Sequence, residues 1–190
     1  MKRFFFLAAV LIFTLTSCHT PSYTFTKTSS NNFSLPEGKF LINYINAPEA
    51  VRTEFQELLL KKFPGNTITA ENANVSIFPT KIPENPEREL IEQISSSTGD
   101  FDYLINVNAN ISSEDIGTLQ PGNLDPSAKN ETFVAMEIFD LNNPGSIFYS
   151  KVRGYLRDAD DSKDFSIAVD SNTMLRKSLK KILKRIENKN

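Results

Sequence analysis

One cysteine, one histidine and no tryptophan occur in 190 residues, and each scarcity removes a class of chemistry. A lone thiol cannot close an internal disulfide, so the fold must be held by its core. The histidine is His19, ahead of the body of the chain, which excludes a histidine-dependent nucleophile or metal site within that body. Charge of neither sign dominates: 21 Lys and Arg stand against 23 Asp and Glu, a formal net charge of −2. A mildly acidic chain argues against nucleic acid as a partner. No run of apolar residues is long enough for a permanent membrane span, because the stretch 4–15 is about a dozen residues where roughly 20 are needed. No motif points to a cofactor or a metal ion.

That short apolar stretch lies in "MKRFFFLAAVLIFTLTSC", with Lys2 and Arg3 before it and small residues after it, the tripartite layout of a secretory signal. Leu15, Thr16, Ser17 and Cys18 resemble the lipobox of bacterial lipoproteins: an apolar residue, two small ones, and the cysteine that is lipidated and becomes the new N-terminus. The resemblance implies that 1–17 is a removed signal peptide and that Cys18 carries diacylglycerol and acyl chains such as palmitate. Two or three chains anchor stably where one does not, at about 0.8 kcal/mol per buried methylene. The competing reading of Cys18 is an ordinary thiol inside a signal peptide. His19, rather than Asp, follows the cysteine; by the same resemblance this implies transfer to the outer membrane, facing the periplasm. The sequons at Asn74, Asn110 and Asn130 are then accidental.

Beyond the anchor the chain divides into a lipidated flexible tether, 18–37, and one domain, 38–190. The tether is rich in Ser, Thr, Asn and Pro and shows no sustained period. In the domain, 39–46 reads as a strand and "PEAVRTEFQELLLKKFPG" as a helix, with Val51, Phe55, Leu58, Leu59 and Phe63 at helical spacing. A weaker strand is expected between 67 and 78. A second helix follows, with Asn85 as its cap and Pro86 in its first turn. "FDYLINVNANI" alternates, its apolar residues facing one way and Asn106, Asn108 and Asn110 the other. Two further strands around Asn143, Pro144 and Gly145 read as a hairpin. Opposite charges and aromatic pairs favour a register that sets Glu137 against Lys151, Phe133 against Tyr155, Phe139 against Tyr149 and Met136 against Val152. A last helix over 172–187 carries Leu175, Leu179, Ile182, Leu183 and Ile186 as its core stripe.

The expected fold is a single α/β domain, a mixed and mainly parallel sheet of about five strands with three helices in the order β-α-β-α-β-β-β-α. In that order, and in "DFDYLINVNANI" and "MEIFDLNNPGSIFYSKVRG", the chain resembles the anticodon-binding-like domains of envelope proteins such as TolB and CsgG, a resemblance that implies partner binding in envelope assembly.

Three groups of residues invite a chemical reading. "DADDSKD", 158–164, resembles a calcium loop in its carboxylates, but Lys163 stands where glycine is required and Val169 where glutamate is, so it equally reads as a solvated connection. Arg176, Lys177, Lys180, Lys181, Lys184 and Arg185 make the last helix basic away from its apolar stripe, suited to anionic lipid, to an acidic partner, or simply to water. Asn106, Asn108 and Asn110 with Glu137, Tyr149, Lys151, Arg153 and Tyr155 form one sheet face, the candidate partner-binding surface; the plain reading is the wet face of an antiparallel sheet. A helix from the second crossover should cover part of it near Asn106. The long polar link 112–130 is a further candidate for partner contact. The expected function is that of a non-enzymatic, lipid-anchored periplasmic accessory or assembly factor that binds another envelope component. The alternative is a carboxylate-dependent hydrolase or binder of envelope glycan, which calls for two facing acidic residues in a deep pocket. A secretion-pore subunit ranks last, because 112–130 lacks the alternation of membrane strands.

Overall fold

A computed structural model describes residues 21–29, 33–63, 65–77, 79, 81–113, 129–157 and 169–187. Cys18, His19, the signal sequence, the acidic stretch 158–164 and most of the link 112–130 lie outside the described residues. The main sheet has six strands: β1 (Ser22–Thr28), β3 (Phe40–Ile42), β4 (Thr67–Thr69), β5 (Tyr103–Ser113), β6 (Lys129–Asp140) and β7 (Gly145–Arg157), in the order β1-β7-β6-β5-β3-β4. A small parallel pair joins β2 (Phe33–Ser34) to β8 (Ile186–Glu187). Four helices are described: α1 (Glu49–Lys62), α2 (Ala70–Ala73), α3 (Arg88–Ser97) and α4 (Ser171–Leu183). None is long and apolar enough to cross a membrane.

The fold is therefore α/β with a mixed sheet, but six strands replace the expected five, four helices the expected three, and antiparallel pairing prevails. Within the six-stranded sheet β3 pairs in parallel with β4 and β5, whereas β5-β6, β6-β7 and β7-β1 are antiparallel. The largest departure is Ser22–Thr28, read from the sequence as tether. "SYTFTKT" places Tyr23 and Phe25 on one side and Ser22, Thr24 and Lys27 on the other, with a bulge between Phe25 and Lys27, and it pairs along β7 as an edge strand. The last helix also stops earlier than expected, at Leu183, and Ile186 reaches the core from β8 instead.

Alternation along the strands sends side chains to two cores. One face carries Phe40, Val107, Val134, Met136, Phe148 and Val152 against Val51, Phe55 and Leu59 of α1 and Leu175, Leu179 and Ile182 of α4. The i, i+4 spacing on α1 and α4 puts these residues on one stripe, and burying each contributes about 1.5–3 kcal/mol. Asp170 caps α4, its carboxylate accepting from the Thr173 amide at 3.0 Å. The opposite face carries Leu41, Leu104 and Phe139 against Ile77, Ile82 and the α3 residues Ile91 and Ile94. Thr69 caps the short α2 through the Asn72 amide, 3.3 Å away, which turns the expected long strand over 67–78 after three residues.

The β6-β7 register differs from the expected one by two residues: Glu137 lies opposite Tyr149, Ala135 opposite Lys151 and Phe133 opposite Arg153. A slip of two keeps every side chain on its face, so the face assignment survives. The turn sets the register. Asp140 Oδ1 accepts from the amides of Asn142 and Asn143, at 2.8 and 2.9 Å, and a bulge near Ile138 and Phe139 takes up the odd residue.

Gly154 marks a tight point on the face of the first core. A Cβ there would stand 2.7 Å from Thr132 Oγ1 and 3.3 Å from both Met174 and the Tyr23 ring. Gly154→Ala is expected to lower stability by about 1–3 kcal/mol through overpacking. Gly65→Ala, with nothing within 4 Å, is expected to stay within about 0.5 kcal/mol of the native chain. Urea unfolding of the two variants side by side checks both.

Candidate functional site

The sheet face away from α1 and α4 brings all eight sequence-selected residues together in successive rows. Asn106, Glu137 and Tyr149 form the first row, Asn108, Ala135 and Lys151 the second, and Asn110, Phe133 and Arg153 the third; Glu131 and Tyr155 follow. Strand β1 extends the rows with Lys27 beside Lys151, Thr24 beside Arg153 and Ser22 beside Tyr155.

The segment 81–87, which leads into α3, lies across the first rows and divides the face. Under it Asn106 is 2 %, Glu137 4 % and Tyr149 5 % exposed. Asn106 and Asn108 each donate an amide hydrogen to the Ile82 carbonyl, both at 3.1 Å. Their own carbonyl oxygens accept from Asn43 at 3.3 Å and Asn46 at 2.9 Å. These asparagines thus tie β5, the chain just after β3 and the covering segment to one another, and their hydrogen-bonding groups are engaged within the chain. The segment, rather than a helix, is what covers the face near Asn106.

Glu84 and Asn85 hold the segment's other end. Tyr149 donates its hydroxyl to Glu84 Oε2 at 2.8 Å, and Lys151 Nζ lies 2.9 and 3.0 Å from the two carboxylate oxygens. Lys27 Nζ donates to Asn85 Oδ1 at 2.9 Å and stands 4.9 Å over the Tyr149 ring. Asn85 was expected to cap α3; instead Glu87 occupies the cap position. Asn85 takes a left-handed conformation, φ 50°, that turns its backbone N–H toward the Glu137 carboxyl. Asparagine tolerates that conformation better than most residues.

Burial pushes the Glu137 carboxyl above its ordinary range, opposed in part by hydrogen bonds from Ser146 and the Asn85 amide. Burial would raise Glu84 as well, but the bonds from Lys151 and Tyr149 and the charges of Lys151 and Lys27 outweigh it and hold Glu84 below the usual value. Tyr149 is pushed up by burial and by its bond to Glu84.

Beyond the segment no other described residues cover the face. Asn110 and Arg153 are exposed, and Glu131, Phe133, Lys151 and Tyr155 half-buried. Lys151 Nζ lies 5.3 Å over the Phe133 ring and the Arg153 guanidinium 5.1 Å over Tyr155, and Arg153 is ion-paired with Glu131. The rings and cations therefore hold one another in a flat array of amide, aromatic and charged groups. Of the eight candidates, Asn110, Lys151, Arg153 and Tyr155 stand in this open part. Ser22, Thr24, Glu131 and Phe133 belong to it too and were missed. Their signal was alternation, in "SYTFTKT" and in "ETFVAMEIFDL", but only the pairing of β1 with β7 brings the first of these to the surface. Away from this face, a depression at the C-terminal ends of β3 and β4 is lined by Asn43, Arg52, Gln56 and Glu71 among others. Among the described residues no three His, Cys, Asp or Glu side chains gather to hold a metal ion.

No protein-family model and no curated protein matches the sequence. Solved structures similar in fold include two of one protein. The PelC dodecamer from Paraburkholderia phytofirmans is 10 % identical, with a TM-score of 0.53 over 89 % of this chain and 100 % of that chain. A point variant of the same dodecamer in a second crystal form is 10 % identical, with a TM-score of 0.52 over 90 % and 100 %.

The two glutamates respond to pH in opposite senses. The raised Glu137 contributes its stability below the unfolded carboxylate value and loses it as pH climbs through the folded value. The lowered Glu84 contributes above the unfolded value and loses it as pH falls. Glu137→Gln is therefore expected to be more stable than the native chain at neutral pH, with the difference vanishing in acid. Tyr149→Phe removes a bond to a partly exposed carboxylate and is expected to cost about 1 kcal/mol at neutral pH. Urea midpoints measured from acid to neutral pH read both.

Proposed function

We propose that the chain is a non-enzymatic lipoprotein, held through Cys18 on the periplasmic side of an outer membrane, whose open half-sheet binds another protein of the cell envelope as an accessory or assembly factor. The observation that carries this reading is the array of Asn110, Phe133, Lys151, Arg153 and Tyr155, set on a sheet that is covered by α1 and α4 behind and by 81–87 and α3 beside it. Aromatic rings and guanidinium groups on a rigid surface are the side chains that dominate protein interfaces. The finer kinship with the anticodon-binding-like envelope domains belongs to the same proposal. The similar fold of PelC, which occurs as a dodecamer, supports this reading, and a further copy of this chain is one partner that the test admits.

The alternative, a carboxylate-dependent glycan hydrolase, has less support on this face. Glu84 is bound by Lys151 and Tyr149, Glu131 by Arg153, and Glu137 lies beneath the covering segment. A glycosidase instead needs two acids facing each other across a cleft.

The test is crosslinking of the native lipoprotein in membranes, followed by mass spectrometry, beside Arg153→Glu with Tyr155→Ser and a Cys18→Ala control. The expected outcome is one envelope protein, or a ladder of copies of this chain, that disappears in the double variant, while Cys18→Ala releases the chain from the membrane. An unchanged crosslink pattern in the double variant would overturn the assignment of the surface. Acylation of Cys18 is read independently from the intact mass.

A further inference from the structure

Helix α4 covers the first core with one side and turns a second, wholly basic side outward. From Ser171 to Ile186 there is no Asp or Glu, whereas Arg176, Lys177, Lys180, Lys181, Lys184 and Arg185 all lie there. Arg176 and Lys180 turn toward α1, where Glu54 meets the first in an ion pair and the second at 3.8 Å. Lys177, Lys181 and Lys184 follow at i, i+4 and i+7, so they share one stripe, and Lys177, Lys181 and Lys184 are exposed. The flank away from α1 overhangs β1: Lys181 Nζ lies 5.3 Å over the Tyr23 ring and the Arg185 guanidinium 3.3 Å over Phe25.

Strand β1 begins at Ser22, four positions after Cys18 in the sequence. Four residues span at most about 14 Å, far less than the twenty-residue tether the composition suggests. An anchored Cys18 therefore holds the start of β1 near the lipid headgroups, and α4 is packed on that strand. The open half-sheet lies on the opposite face of the sheet from α4.

From this placement we infer that the basic stripe of α4 rests on the membrane surface and takes the phosphates of anionic phospholipid headgroups, orienting the domain with its partner-binding face toward the periplasm. This rests on the reading of Cys18 as the lipid anchor. Charge complementarity and chain reach agree: the anchor attaches ahead of the strand that Lys181 and Arg185 overhang, and each basic residue close to an anionic surface strengthens association by roughly fivefold.

The experiment uses the native lipoprotein in nanodiscs of phosphatidylcholine alone or mixed with phosphatidylglycerol, with an amine-acylating reagent and mass spectrometry to follow each lysine. Lys177, Lys181 and Lys184 are expected to react several-fold more slowly in the discs that contain phosphatidylglycerol, and to recover at high salt. Lys61 and Lys81, exposed on other elements, are expected to react alike in both. Equal reactivity of the three lysines in the two lipids would overturn the inference, and so would equal protection in detergent micelles, which would mean that a protein covers them. The intact mass tells the two readings apart, since an acylated Cys18 with unprotected lysines leaves the anchor standing and removes only the headgroup site. If Cys18 proves unacylated, co-sedimentation of the lipid-free chain with phosphatidylglycerol vesicles decides: binding lost on Lys177→Glu with Lys181→Glu and Lys184→Glu upholds the site, and no binding sinks it.

Discussion

A strand offers each face of its sheet every second side chain, and here three long strands must serve a face that changes character along its length. β5, β6 and β7 run from beneath a covering segment out into solvent, so the same alternating positions begin as interior and end as surface. Asn106 and Glu137 stand in the first zone and Asn110 and Arg153 in the second, within a few residues along the same strands. Polar residues at all these positions are compatible with folding because the covering segment supplies partners where water cannot. The Ile82 carbonyl meets two asparagine amides, and the Asn85 amide meets the buried Glu137 carboxyl. Without those bonds the buried polar groups would each cost on the order of 1–3 kcal/mol.

The arrangement explains why the network under 81–87 contains charges of both signs while the packing on the other face is almost wholly apolar. Glu84 is drawn into the sheet by Lys151 and Tyr149, and Lys27 reaches across from β1 to Asn85. The covering segment is thus held by residues from β1, β5, β6 and β7 together, which couples its position to the integrity of the antiparallel half of the sheet. The open array beyond it shares Lys151 with this network, so the side chain that closes the covered zone also begins the exposed one.

What could be read in the sequence was what short-range periodicity encodes. The stripes of α1 and α4 and the alternation of β5, β6 and β7 follow from spacing alone, and the face assignment of the eight candidates held even though the hairpin register slipped by two. The register was hidden because it is set by the Asp140 turn and a bulge, neither of which leaves a mark on the alternation. Asn85 was misread for a related reason: before Pro86 and a helical pattern it looks like a cap, whereas its left-handed backbone and its bonds to Lys27 and Glu137 arise only when three distant segments meet. The role of Ser22–Thr28 depends on β7, and no local pattern in seven residues rich in Ser and Thr declares such a distant partner. The division of the face into covered and open zones was legible only as a tension, the expectation that something must lie near Asn106.

The pairing of β1 with β7 also orders events in time. Ser22 donates to the carbonyl of Tyr155 across 133 positions of sequence, so in a chain synthesised from its N-terminus the strand that is made first waits for its neighbour until most of the polypeptide has followed. Contacts of such separation form late because the intervening chain must first be confined. During that interval an unpaired strand would be exposed to other nascent chains. The serine, threonines and lysine along its solvent side, with the bulge after Phe25, make it a poor template for them. The composition that makes the segment look like a linker is in this way what lets it endure the wait.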